Sequence, residues 1–146
     1  MMTNRTGFVP NSRLGEGYVA IIMIVAGLGM LGAGIWAWLA PLSFAQAVAF
    51  SYHEHFLHDL GVFQIGIGVA LLVAMVCRDA RAVALTALLT TNILHAVNHA
   101  YDRHLGGHDS DAYLLAALSL LVAAALVLRL RDIRRPAAGK RHGAAP

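Results

Sequence analysis

The sequence predicts an all-α fold: an integral membrane four-helix bundle with both termini cytoplasmic. Three observations carry this expectation. Hydrophobic residues make up 58% of the 146-residue chain and charged residues only 13%, too little charge to cover a soluble domain of this size. Four apolar stretches approach the roughly 20 residues that a helix needs to cross a bilayer core. The basic residues, finally, fall almost entirely on one side of those stretches.

In chain order, residues 1–17 read as a polar cytoplasmic arm, followed by a first span at Tyr18–Leu39. That stretch is longer than the apolar core of a cleaved signal peptide, and Trp36 and Trp38 near its end suit an interfacial aromatic belt, so a retained anchor is expected. Pro41 stops the helix, and residues 42–51 form a short, mostly apolar exoplasmic connection that either lies in the interface or extends the second helix outward. The second span is Gly61–Cys77, entered through a polar forecourt from Tyr52, and the third is Ala82–Ala100. Gly106-Gly107 turns the chain, and Asp109-Ser110-Asp111 offers helix caps rather than a calcium loop before the fourth span, Tyr113–Leu128. The four-span domain covers residues 18–133, and residues 134–146, with Pro136-Ala137-Ala138-Gly139, form a mobile basic cytoplasmic tail. Gly27, Gly29, Gly32 and Gly34 in the first span, and Gly61, Gly66 and Gly68 in the second, permit close helix approach or dimerisation.

Orientation follows from charge. Arg5, Arg13, Arg78, Arg81, Arg129, Arg131, Arg134, Arg135, Lys140 and Arg141 all lie at one end, leaving only Arg103 of the 11 basic residues at the other. Basic residues in short loops stay in the cytoplasm. A multi-pass protein of the plasma (inner) membrane is expected, with positive charge serving topology and no nucleic acid as partner. Cys77 is the only cysteine and lies at the cytoplasmic end, so an exoplasmic metal site must use nitrogen and oxygen ligands.

The exoplasmic end gathers those ligands. Asn92, His95, Asn98, His99 and Asp102 fall on one helical face about 120° wide at about 100° per residue. A second cluster, His53-Glu54-His55-Phe56-Leu57-His58-Asp59, opens the second span. At 1.5 Å per residue the two clusters reach similar depths, about 21–27 Å from Arg81 for His95 and His99 and about 30 Å from Arg78 for His58 and Asp59. His55, His58 and Asp59 share one side of their helix, whereas Gln64, about 140° from Asp59, belongs to another interface.

Histidines four residues apart can both reach one ion, and a facing helix can complete the shell with imidazole and carboxylate. The expected metal ligands are therefore His55, His58, Asp59, His95 and His99, holding zinc, iron or copper. Glu54 and Asp102 are the candidate catalytic proton-transfer groups. Haem is the alternative cofactor, with His58 and His99 as axial ligands. A purely structural polar network competes with both readings, and His104, His108 and His142 read as helix-end or hydrogen-bonding residues.

In size and helix count the chain resembles the small four-helix bacterial membrane proteins of the DoxX-like kind. The resemblance covers the four spans and is topological. It implies a redox-associated membrane role and transfers no site residue. The function expected is a membrane-embedded, metal-dependent oxidoreductase acting on a small or lipid-soluble substrate at the exoplasmic face. The alternatives are a non-enzymatic haem or metal carrier or electron-transfer subunit, and a structural accessory subunit. Partners beyond the lipid bilayer are the substrate and either a second copy of the chain or a membrane complex.

Overall fold

Apolar runs without charge can satisfy their backbone polar groups only within themselves, and in the computed structural model, which describes residues 12–134, every such run is a helix. The elements are α1 (Ser12–Leu39), α2 (Pro41–Ala47), α3 (Glu54–Val76), α4 (Arg81–Tyr101) and α5 (Asp111–Arg134), with a 3₁₀ turn at Arg78–Ala80 and no strand among the described residues. Four helices are long and apolar enough to cross a membrane. Their outward faces carry side chains such as Ile21, Val25, Val69 and Leu120, all exposed, which suits lipid and not water. This is the make-up of a multi-pass membrane protein.

Several boundaries differ from the sequence reading: α3 starts at Glu54 within the polar forecourt, and α5 runs on to Arg134. The polar arm is helical from Ser12, where α1 begins. The added turn carries Glu16, which forms an ion pair with Arg78 in the α3–α4 connection. The remainder of the arm and nearly all of the basic tail lie outside the described residues. The connection after Pro41 also holds a helix: proline is suited to the first helical turn, and α2 buries Phe44 and Ala45. Trp36 Nε1–H donates to Ser43 Oγ at 2.8 Å and meets Phe44 edge-on, with ring centroids 5.5 Å apart.

The spans run up, down, up and down. At the basic end, besides the Glu16–Arg78 pair, Arg129 Nη2 donates to the Arg78 carbonyl at 2.9 Å. Beside the core cluster of that half, the Tyr18 hydroxyl donates to the Leu121 carbonyl at 2.9 Å, joining α1 to α5. At the opposite, histidine end, the Gly107 N–H donates to the Ala49 carbonyl at 2.9 Å, tying the α2–α3 connection to the α4–α5 loop.

Glycine lets α1 and α3 pack tightly. Gly34 meets Gly61, and Gly27 meets Gly68, in one antiparallel register. A Cβ at Gly34 would fall 2.6 Å from the Gly61 carbonyl oxygen, one at Gly61 would fall 2.7 Å from the Gly34 oxygen, and one at Gly68 would fall 2.8 Å from the Gly27 oxygen. Any side chain there forces α1 and α3 apart. Gly29, Gly32 and Gly66 have open space around them and play no part in this seam.

The core is divided along the bundle. Towards the basic end one cluster draws on all four spans: Val19 and Met23 of α1, Leu71 and Ala74 of α3, Leu85 of α4, and Val122 and Ala125 of α5. Towards the histidine end the buried cluster is Ala37, Phe44, Ala45 and Leu57, from α1, α2 and α3 alone. Contact between α3 and α4 is sparse, whereas α1–α3 and α4–α5 are closely packed. Between the two halves of the divided end lies a cavity.

Candidate functional site

The cavity has a volume of about 700 Å³, within the range of small-molecule sites. One wall is α2 and α3, through Phe44, Val48, Phe56, Leu57, Leu60 and Gln64. The other is α4 and α5, through His95, Asn98, His99, Asp102, Asp111 and Leu115, with Leu105–His108 closing the end.

The i, i+4 spacing of His95 and His99 stacks their rings on one face of α4. Their Nε2 atoms lie 3.1 Å apart, with ring centroids 4.7 Å apart and a 55° tilt. Two imidazole nitrogens this close have two favourable states: one donates a proton to the other, or both turn lone pairs to a shared cation. On the far side of His99, Nδ1 is 3.6 Å from Asp111 Oδ2. A carboxylate there favours the proton on Nδ1 and leaves Nε2 as a lone-pair donor. The same Asp111 oxygen accepts the His108 backbone N–H at 2.7 Å, so the start of α5 holds it in place. His108 Nδ1 is 3.7 Å away from it.

Gly107 makes this packing sterically accessible. Its φ of +86° suits glycine, and a Cβ would sit 3.0 Å from Asp111 Oδ2 and 3.1 Å from His99 Nδ1. The loop thus lies directly against the histidine–carboxylate pair.

Other members of the polar stripe have structural work. Asn92 is buried and its Nδ2 donates to the Leu115 carbonyl and to Ser119 Oγ, both at 2.8 Å. It ties α4 to α5, satisfying a polar group that would otherwise be costly in an apolar layer. On α3, His53 is the N-cap, its Nδ1 accepting the Phe56 N–H at 3.2 Å.

The expected convergence of two clusters is not assembled. Among the described residues no group of three or more His, Cys, Asp or Glu side chains is placed to hold a metal ion. His55, His58, Asp59 and Glu54 lie outside the cavity lining. The reason is helical phase: α3 turns Leu57, Leu60, Gly61, Gln64 and Gly68 inward, and on that wheel His55 and Asp59 stand about 160° from Leu57 and His58 about 100°. His55 and Asp59 instead face each other at 3.6 Å on an exposed surface, with side chains 83% and 57% accessible. Of the expected residues, His95, His99 and Asp102 share the cavity.

Three residues enter that were assigned elsewhere. Asp111 opens α5, its carboxylate accepting the His108 N–H from the preceding loop and also facing His99. His108 closes the cavity, and Gln64 lines it, with Oε1 buried and without a hydrogen-bond partner. Gln64 could have been found from the glycine pattern, because it shares its helix face with Gly61 and Gly68. The approach of Asp111 to His99 depends on a loop with two positive-φ glycines and has no periodic signature. No family model matches this chain, and neither the curated proteins nor the solved structures hold one detectably similar to it.

Proposed function

We propose that this protein is a multi-pass protein of the plasma (inner) membrane that binds a zinc, iron or copper ion through His95 and His99 at the exoplasmic end of its bundle. There it serves as a metal-dependent oxidoreductase for a small lipid-soluble molecule. The observation that carries the proposal is the pair of facing Nε2 atoms, 3.1 Å apart at the cavity wall, with Asp111 beside the distal nitrogen of His99. Facing imidazole nitrogens of this kind suit a transition metal better than magnesium or calcium. Catalytic metal sites commonly hold the ion through three protein ligands and keep one position open; with two imidazoles, water and substrate would fill the remaining positions. Asp102, in the same lining, is the proton-transfer candidate. Glu54 and His58 lie outside the lining, and haem held between His58 and His99 draws no support from it. A redox role also agrees with the topological likeness to DoxX-like proteins.

The test is elemental analysis with an optical spectrum of protein purified without chelator. A stoichiometric transition metal is expected in the wild type and in His55→Ala, and its loss is expected in the His95→Ala/His99→Ala double variant. Stoichiometric metal in the double variant, or a Soret band lost on His58→Ala, would overturn the assignment.

A further inference from the structure

The imidazole pair occupies one wall of the cavity, and the rest of the cavity has a chemistry of its own. Phe44, Phe50, Phe56, Leu57, Leu60 and Leu114 line it. The aromatic part is held in place: Phe50 stacks on Phe56 with centroids 5.6 Å apart and planes 27° apart, and Trp36 braces Phe44 edge-on. Such walls favour a flat, apolar occupant.

Gln64 adds the polar feature. It lies on the order of 15 Å along α3 from Glu54 at 1.5 Å per residue, in the apolar layer. Its Oε1 is buried and unpartnered. An unmet acceptor in such surroundings is costly, and an occupant that supplied a donor would relieve it. A hydroxyl gives and accepts hydrogen bonds, so it can meet either end of the carboxamide. The inward α3 neighbours of Gln64 in the lining, Leu57 and Leu60, are apolar, so its own helix supplies no charge to balance a charged group.

We propose that the cavity binds a small, uncharged ring compound bearing a hydroxyl group, drawn from the lipid phase, with the hydroxyl on the Gln64 carboxamide and the ring against the apolar wall. The sparsely packed α3–α4 side offers the route from lipid. The proposal goes beyond the metal assignment, since none of its contacts uses His95 or His99.

The experiment uses the full chain in lipid nanodiscs, treated with a chelator so that metal plays no part. Binding of 2-naphthol and of naphthalene, the same ring system with and without a hydroxyl, is measured by equilibrium dialysis against empty nanodiscs. Saturable binding of both is expected, with 2-naphthol tighter by about five- to tenfold, the value of one hydrogen bond. Gln64→Leu should bring 2-naphthol down to the level of naphthalene while naphthalene binding persists, and Leu60→Trp, one helical turn from Gln64, should weaken both by crowding the ring position. Absence of saturable binding to the wild type, equal affinity for the two probes, or a preference that survives Gln64→Leu would overturn the proposal. If Gln64→Leu loses both probes, Gln64→Met, which keeps the side-chain length, decides. Naphthalene retained without preference supports the assignment, and loss of both again refutes it. None of these outcomes depends on metal binding at the histidines.

Discussion

Asp111→Asn separates the two tasks of Asp111. Asparagine keeps an oxygen able to accept the His108 N–H, now bonded at 2.7 Å, but removes the negative charge 3.6 Å from His99 Nδ1. A carboxylate beside the distal nitrogen of a metal-bound histidine typically strengthens metal binding by about 10- to 100-fold. The His99 and Asp111 side chains are 25% and 24% accessible, so water screens part of the effect and the lower figure applies. A tenfold loss, about 1.4 kcal/mol, is expected. Competition with a chromophoric zinc chelator measures it, and circular dichroism of the helices should be unchanged. Asp111→Ala, which also removes the acceptor for His108, should lose about 1 kcal/mol of stability in addition, the value of one hydrogen bond. Wild-type zinc affinity in Asp111→Asn would refute a role for this carboxylate in holding the His99 ring with Nε2 free for the ion.

The remaining expectations concern the scaffold. Gly34→Ala should destabilise the protein by about 1–3 kcal/mol, because its Cβ meets the Gly61 oxygen at 2.6 Å, whereas Gly29→Ala, with open space around it, should be neutral or slightly stabilising. Thermal denaturation in detergent compares the two, and equal melting temperatures would remove the glycine seam as the basis of α1–α3 packing. An epitope inserted at Gly106-Gly107 should be accessible on intact cells while a carboxy-terminal tag is protected, following the distribution of basic residues. An externally accessible carboxy terminus would reverse the orientation.

The spans were legible because run length and charge report on lipid exposure directly. Tyr18–Leu39 is contained in α1, and Gly106-Gly107 is the turn between α4 and α5. The i, i+4 spacing likewise brought His95 and His99 together, since one helix face fixes that contact locally. The partners across the cavity were another matter. A wheel drawn for α3 puts His55, His58 and Asp59 on one side, but the direction of that side is set by Gly61 and Gly68 against α1, a relation between two helices. Polar residues were expected to turn inward, yet at a helix end near the interface they can remain outside at little cost. Asn92 shows the same ambiguity from the other side: it lies in the histidine stripe, and its hydrogen bonds go to α5.

The division of the core has a mechanical consequence. All four spans are clamped together where Met23, Leu71, Leu85 and Ala125 meet, and beyond that point α1 with α3, and α4 with α5, continue as two separate prongs. In a tuning-fork arrangement of this kind compliance resides at the tips. The hydrogen bond from Gly107 to Ala49 is a fastening across those tips, and it belongs to the same loop that presses against His99 and Asp111. Spreading the prongs would therefore strain the loop behind the imidazole pair, so the fit of a guest between them and the alignment of the two rings are parts of one elastic element.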